Sequence, residues 1–102
     1  MSGYNLNSTS LPSGAKNYLM ANPDCVTILK VMTEKPHQFL NSENLSRRSG
    51  LNRYYIAWNI IRQFRRYNLI QRKVRKENNI RVSYWRPHPE LVCPLISFLE
   101  GR

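Results

Sequence analysis

Residues 44–86 combine most of the chain's positive charge with a switch from a helical repeat to a period-two repeat. They contain twelve Arg or Lys and a single acid, Glu77, whereas basic and acidic residues cancel in 1–43. Residues 87–102 contain two acids and Arg102, so the whole chain carries +10. A generically basic surface would spread its charge over all three parts. This concentration therefore predicts a polyanionic partner, and nucleic acid is the commonest one.

The bulk properties set limits on the class of protein. A chain of 102 residues with 41% hydrophobic and 22% charged residues has the composition of one globular domain. No apolar run approaches the roughly 20 residues of a membrane span, and the polar N-terminus lacks the apolar core of a secretory signal. We therefore expect an intracellular, cytoplasmic protein without a membrane partner.

The region before residue 42 predicts an arm, two helical segments and a short strand. Residues 1–14 are rich in Ser, Asn and Gly and have no apolar period, which is typical of a flexible arm. Ser13 is expected to cap a short helical turn. Asn22 and Pro23 predict the cap and first position of a helix over residues 24–34. Phe39-Leu40 is a candidate for a small strand.

Residues 42–67 have the spacing of two helices joined by a tight turn. Ser42 is expected to cap a short helix that ends at Ser49 and points Leu45 inward. In Gly50-Leu51-Asn52, Gly50 can adopt positive φ and Asn52 can cap the long helix that follows.

The long helix, residues 53–67, separates an apolar side from a basic one at about 100° per residue. The apolar side consists of Ala57, Ile60, Ile61 and Phe64, flanked by Ile56 and Tyr67. The opposite side consists of Tyr55, Asn59, Arg62 and Arg66, with Arg65 and Trp58 at its edge. That side has no acid, so it is not an ion-pair ladder. Its Tyr and Asn can read base edges, and its Arg can bind guanine or phosphate.

The segment after this helix predicts a hairpin and a C-terminal helix. Asn68 is expected to end the long helix in the left-handed conformation, and Lys76-Glu77-Asn78-Asn79 is the predicted hairpin loop. One face is assigned Ile70, Val74, Ile80, Val82 and Tyr84, and the other Lys73, Arg75, Arg81, Ser83 and Trp85. Residues 89–100 predict a helix with apolar residues on many sides. It favours packing against a second copy, and the alternative is completion of the monomer's own core.

Residues 42–85 resemble a winged helix-turn-helix DNA-binding domain. That family commonly shows an inward residue, apolar residues four and seven positions later, and Gly-Leu-Ile at the opening of the wing. Here these positions are Ala57, Ile61 and Phe64, followed by Asn68-Leu69-Ile70, so Asn68 departs from the usual Gly. The resemblance covers just under half of the chain. It implies an α+β, mainly α, fold: a helix-turn-helix at 42–67, a two- or three-stranded antiparallel wing at 69–86, and a C-terminal helix at 89–100.

The resemblance also implies a way of binding DNA, in which the long helix enters the major groove. The residues nearest the bases would then be Asn52, Arg53, Tyr54, Tyr55, Asn59 and Arg62. Phosphate contacts would come from Arg47, Arg48, Arg65 and Arg66, and the wing would contribute Arg72, Lys73, Arg75, Lys76 and Arg81. Tyr54 can equally face the core, Trp58 can equally pack against the helix at 42–49, and Tyr84 and Trp85 are assigned to the core.

The leading hypothesis is a homodimeric, sequence-specific double-stranded DNA-binding protein that acts as a transcription repressor. The alternatives are a centromere-binding adaptor of a plasmid or virus partition system, an RNA-binding protein, and a protein-interaction module built on the C-terminal helix. The acids form no close pair on one face and no Gly-rich phosphate loop follows a strand. Cys25, His37, His88 and Cys93 lack zinc-site spacing. We therefore expect no catalysis, cofactor or metal.

The two cysteines also have a predicted oxidation state. Because Cys25 and Cys93 lie outside any CxxC pair, they are expected to be buried free thiols. A disulfide between Cys25 and Cys93 remains an alternative if the source is a hyperthermophile.

Overall fold

The computed structural model describes residues 10–101, and most of the predicted N-terminal arm lies outside that range. The chain forms an α+β fold, mainly helical, with a two-stranded antiparallel hairpin. This confirms the predicted class. In chain order the elements are α1 (Ala15–Ala21), α2 (Pro23–Glu34), α3 (Ser42–Ser49), α4 (53–66), β1 (Ile70–Glu77), β2 (Ile80–Pro87), a 3-10 turn (Pro89–Leu91) and α5 (Val92–Glu100).

The first two helices begin where the sequence predicts, but with different capping. Gly14, with φ of +83°, is the N-cap of α1, in place of Ser13. Asn22 does precede Pro23 at the start of α2, but its side chain caps nothing. Instead, Asn22 Nδ2 donates to the carbonyl oxygen of Tyr18 at 2.7 Å, which ties the end of α1 to the start of α2.

The N-cap of α3 is Asn41, so the prediction of Ser42 is wrong by one residue. Asn41 Oδ1 accepts from the Asn44 amide at 2.8 Å, and Asn44 Oδ1 accepts from the Asn41 amide at 3.1 Å. Two orphan amides at the helix start are satisfied reciprocally. This capping box requires the cap to lie one residue before Ser42.

The turn between α3 and α4 has the predicted conformation. Gly50 ends α3 with φ of +83°, and its amide donates to Ser46 O at 2.8 Å. Asn52 caps α4, since its Oδ1 accepts from the amides of Tyr54 and Tyr55 at 2.8 and 3.1 Å. Ser46 Oγ donates to Leu51 O at 2.6 Å and closes the turn from the α3 side.

The helix α4 contains a π-helical segment that the sequence did not predict. It runs as α-helix over Arg53–Tyr55, as π-helix over Ile56–Ile60 and as α-helix over Ile61–Arg66. In the π segment the Ile61 amide donates to Ile56 O. This wider turn changes which residue faces the core, so that Ile56 is fully buried and Ala57 only half-buried. The prediction of Ala57 as the first inward position is therefore corrected to Ile56.

The hairpin is longer and its turn tighter than predicted. Lys76 and Glu77 belong to β1, and the turn is Asn78-Asn79, with φ of 52° and 64°. Two successive left-handed residues are the requirement of a type I′ turn, which Asn satisfies. Asn68 is left-handed as predicted, with φ of 55°.

The register of the hairpin corrects the predicted faces. Lys73 pairs with Tyr84 and Arg75 with Val82, so Ile80, Val82 and Tyr84 share a face with these cations. Trp85 pairs with Arg72 and lies on the face of Ile70. The prediction carried the even–odd alternation straight through the turn, whereas a hairpin turn with an even number of residues pairs even-numbered positions of one strand with odd-numbered positions of the other.

Two further elements complete the sheet and the core. The predicted strand at Phe39-Leu40 is a single antiparallel bridge, in which Leu40 and Trp85 exchange two hydrogen bonds of 2.8 Å. α5 packs against α2 and buries Leu95 and Phe98 in the monomer, and the 3-10 turn before it buries Leu91. This packing matches the alternative prediction, in which the C-terminal helix completes the core of the monomer.

Within residues 10–101 no helix combines the length and the apolarity that crossing a bilayer requires.

We predict that Gly50→Ala lowers the free energy of unfolding by about 1 kcal/mol, because left-handed backbone costs an L-residue roughly 1–2 kcal/mol. No heavy atom lies within 4 Å of the position of the added Cβ, so backbone strain is the only cost. Gly50→Asn should lose less, since Asn tolerates this conformation. Urea denaturation of the three proteins measures the difference. Equal stability of Gly50→Ala and the parent would contradict the assignment.

Candidate nucleic-acid interface

Every predicted site residue of α3, α4 and the hairpin has an exposed side chain. These are Arg47, Arg48, Asn52, Arg53, Tyr54, Tyr55, Asn59, Arg62, Arg65, Arg66, Arg72, Lys73, Arg75, Lys76 and Arg81. Exposure alone does not make them one surface, because the hairpin divides its cations between two faces.

The end of α4 and the start of β1 bring four of these arginines together. A groove of about 400 Å³ is lined by Arg62, Arg65, Arg66, Asn68, Ile70 and Arg72. We call this the arginine groove. No carboxylate of residues 10–101 lies within 4.0 Å of any of its guanidinium groups. The groove therefore presents concentrated positive charge that the described part of the fold leaves uncompensated, which favours an anionic ligand.

Arg47 has a partner on its own helix. Its Nη2 lies 3.3 Å from Glu43 Oε2, and this is the one ion pair within residues 10–101. Both side chains are more than half exposed, and such an i, i+4 pair is worth little in water. Arg47 therefore remains accessible to a phosphate.

The first turn of α4 uses two of the predicted base-reading residues internally. Asn52 Oδ1 already accepts from two backbone amides, which leaves only its amide nitrogen for a ligand. Tyr55 Oη donates to Asp24 Oδ2 of α2 at 2.9 Å. This hydrogen bond to a carboxylate raises the pKa of Tyr55. Both side chains are exposed, and their hydrogen bonds hold the start of α4 in place.

Arg53 and Tyr54 form a separate exposed pair. Arg53 Nη2 donates to Tyr54 Oη at 2.9 Å, and the guanidinium carbon lies 4.9 Å from the Tyr54 ring centroid. The hydrogen bond raises the pKa of Arg53. With 59% of its surface exposed, Tyr54 does not face the core, which decides between the two orientations that the sequence left open.

One face of the hairpin continues the arginine groove. By register Arg72, Lys76 and Arg81 lie on the face of Ile70 and Trp85, the strand residues nearest α4. Arg72 Nε donates to Ser83 Oγ at 3.1 Å, so this guanidinium is held from the neighbouring strand. These three cations can act together with those of α4.

The other hairpin face stacks its cations on aromatic rings. Arg75 lies 4.9 Å from the Tyr84 centroid, whereas Lys73 and Arg86 lie 5.5 and 4.5 Å from that of Phe39. Tyr84 also donates to Glu77, which raises the pKa of Tyr84. The predicted set thus divides, and Lys73 and Arg75 belong to a second basic patch that includes Arg86. No sequence pattern indicated this role of Phe39, because Lys73 and Arg86 are distant from it along the chain.

Trp58 is a candidate that the site prediction omitted. Its side chain is 70% exposed, so it does not pack against α3. It lines a cavity of about 440 Å³ together with Ala57, Ile61, Arg62, Arg65 and Trp85. The available signal was its position at the edge of an acid-free stripe. Trp85 is buried, as predicted, with 8% exposure.

The cysteines are free, but only Cys25 is buried, and Cys93 is exposed. Burial raises the pKa of the Cys25 thiol. Burial, followed by a hydrogen bond from Cys25, raises the pKa of Tyr18 to about 12. Within residues 10–101 no three His, Cys, Asp or Glu side chains cluster as metal ligands.

The chain was compared with protein-family models, with curated proteins and with solved structures, and none of them matches it. The assignment of function therefore depends on the geometry and charge of the site.

We predict that Asn52→Ala lowers the free energy of unfolding by about 1 kcal/mol, the usual loss on removing an N-cap acceptor. Asn52→Asp should retain the stability, because a carboxylate caps equally well and interacts favourably with the helix N-terminus. Urea denaturation measures both. If Asp destabilises as much as Ala, the capping role is wrong.

We predict that the Tyr55–Asp24 hydrogen bond stabilises the fold below about pH 10 and less at higher pH. Because the pKa of Tyr55 is raised above 10.0 in the folded protein, its contribution is complete below 10.0 and declines as pH rises through the raised value. Denaturation of Tyr55→Phe and the parent across this range should show the difference between them shrinking. Tyr55→Phe and Asp24→Asn act on the same bond, so losses that simply add would contradict it.

Proposed function

We propose that this protein binds double-stranded DNA as a winged helix-turn-helix domain. In this assignment α3, the Gly50 turn and α4 are the helix-turn-helix, and the hairpin is the wing. The observation that carries the proposal is the arginine groove, where four guanidinium groups from α4 and β1 converge without a described carboxylate near them. A duplex is a regular polyanion whose major groove admits a helix, so it suits a cationic helix beside a cationic hairpin.

The proposed contacts divide between the bases and the phosphate backbone of the DNA. Asn59 and Arg62, exposed in the middle of α4, are the side chains best placed for base edges. Arg65, Arg66 and Arg72 would bind phosphates, and Arg47 and Arg48 at the end of α3 would bind the strand on the other side. Asn52 and Tyr55 would then position α4 and not read bases. Lys73 and Arg75 lie on the opposite hairpin face. They would add to the positive electrostatic potential of the protein without contacting the DNA directly.

The biological role proposed is that of a transcription repressor that blocks access to a promoter. A centromere-binding adaptor of a partition system would use the same surface. Repeated target sites beside a gene for a polymerising partner would favour the adaptor over the repressor.

The homodimer remains a prediction, and less apolar surface of α5 is left for it than the sequence suggested. α5 buries its apolar side against α2, and Val92, Ile96 and Leu99 are half-buried in the monomer. The apolar surface left near α5 is the groove of about 480 Å³ beside Met20, which is 62% exposed. Sedimentation equilibrium measures the oligomeric state.

RNA binding is the second candidate function, favoured by the exposed rings of Tyr54 and Trp58. RNA readers stack splayed bases on such side chains. Trp85, which the sequence assigned to the core, is buried and offers no such platform. Competition of duplex DNA and RNA of the same sequence for one labelled probe separates the two functions.

We predict that Arg62→Ala combined with Arg66→Ala weakens binding to duplex DNA by roughly 10- to 100-fold, in line with the loss of an arginine contact to a base or phosphate. The dependence of log affinity on log salt should also fall in slope by about one, since Arg66 is the phosphate contact of the pair and each phosphate contact contributes about 0.9. Fluorescence anisotropy of a labelled duplex at two salt concentrations measures both quantities.

The matched control is Lys30→Ala combined with Lys35→Ala, which removes the same charge from exposed positions on and just after α2. It should leave the affinity and slope close to those of the parent. Equal losses in the two double variants would show attraction by net charge alone and would overturn the assigned surface.

A further inference from the structure

Trp58 is the most exposed of the large apolar side chains in residues 10–101. It lies in the π segment of α4, within the proposed interface, and not at the edge of the fold. Most large aromatic side chains are largely buried, and an exposed one beside a cavity is a mark of a binding site. The 70% exposure of this ring requires an explanation that packing does not supply.

The cavity beside Trp58 combines a flat apolar wall with positive charge. Trp58, Ile61 and Trp85 supply apolar surface, and Arg62 and Arg65 supply two guanidinium groups. Its volume of about 440 Å³ is in the range of roughly 300–1,000 Å³ that small-molecule sites occupy. Such a lining suits a ligand that carries both a flat ring and a negative charge, which is the description of a nucleotide.

Trp85 supplies the second aromatic wall of the cavity. Its Nε1 is closed to solvent and has no hydrogen-bond partner among the described protein atoms. This nitrogen is therefore not available to a ligand, and Trp85 contributes its apolar ring.

A base within an intact duplex does not fit this site well. The major groove presents base edges, whereas the faces of paired bases are covered by their neighbours. An indole gains most from a free base face, on which it stacks regardless of sequence. The ligand that matches the cavity is therefore a base that has left the stack.

We propose that the cavity of Trp58 and Trp85 accepts an unpaired nucleobase, which stacks on Trp58 while Arg62 contacts base edges and Arg65 binds a flanking phosphate. This inference rests on the proposed function, because it places the base within a DNA duplex bound by α4. It gives the protein a preference for duplexes that contain a bulged or unpaired base.

The experiment uses the full chain and labelled DNA probes: a fully paired duplex, the same duplex with one bulged thymidine, and the corresponding single strand. The parent should bind the bulged duplex more tightly than the paired one, and Trp58→Ala should lose roughly 5- to 150-fold in affinity for the bulged duplex, the range for loss of one stacked base. The affinity of Trp58→Ala for the paired duplex should fall by less, so that the bulged-to-paired affinity ratio decreases. Trp58→Phe should retain most of the preference, because a smaller ring still stacks.

Met20→Ala is the matched control, since Met20 is also highly exposed but lies on α1. It should leave the bulged-to-paired affinity ratio unchanged. Quenching of indole fluorescence by the bulged duplex, present in the parent and reduced in Trp58→Ala, reports stacking directly.

Several results would overturn this inference. One is a bulged-to-paired affinity ratio that is the same in Trp58→Ala and the parent. Another is a loss of self-association in Trp58→Ala with unchanged DNA binding, which would assign the cavity to a second copy of the chain. Tight binding of the paired duplex without any preference for the bulge would remove this inference and leave the proposed function intact. Binding of the single strand alone would instead remove the duplex proposal and retain the stacking site.

Discussion

The burial of one side of α4 determines the position of the rest of the structure. Ile56, Ile60, Ile61 and Phe64 are each no more than 2% exposed, so the helix has a single permitted rotation about its axis. At that rotation Asn59, Arg62, Arg65 and Arg66 all lie outside the core. The apolar contacts that hold the fold together are thus the same contacts that bring the cations to the surface. A substitution that alters the packing of Ile56 or Phe64 would therefore displace the cations of the interface, although it changes no arginine.

The clustering of cations also has an energetic consequence. Like charges in a shared groove repel each other, and the described acids do not lie near them. Folding brings Arg62, Arg66 and Arg72 closer than they are in the extended chain, so the native state carries electrostatic repulsion that salt screens and a polyanion removes. A protein that binds anions at this groove should consequently be more stable in their presence, since a ligand that binds only the folded state raises its stability.

Local features of the sequence were predictable where one residue type decides the conformation. Gly50, Asn52 and Asn68 were assigned correctly, because a left-handed or capping position restricts the choice of residue strongly. Features that depend on contacts across the chain were not. The π turn at Ile56 depends on how α4 packs against α2 and α3, and the apolarity of α5 is explained by the side of α2 that it covers. The hairpin faces were assigned wrongly because the alternation was continued through the turn at Asn78 and Asn79, although the pairing of the two strands decides which residues share a face.

The two hairpin faces differ in how their cations are held, and this difference bears on binding. Arg75, Lys73 and Arg86 rest on aromatic rings, which orders their long side chains but also uses part of their capacity for other contacts. On the face toward α4, Arg72 is oriented by Ser83 alone and the neighbouring cations of the groove have no carboxylate partner in the described chain. An anion that approaches the groove therefore replaces water and not protein contacts. The face with fewer internal partners is the one that gains more from a ligand, which is why the arginine groove, and not the more ordered aromatic face, is the better candidate for direct contact with DNA.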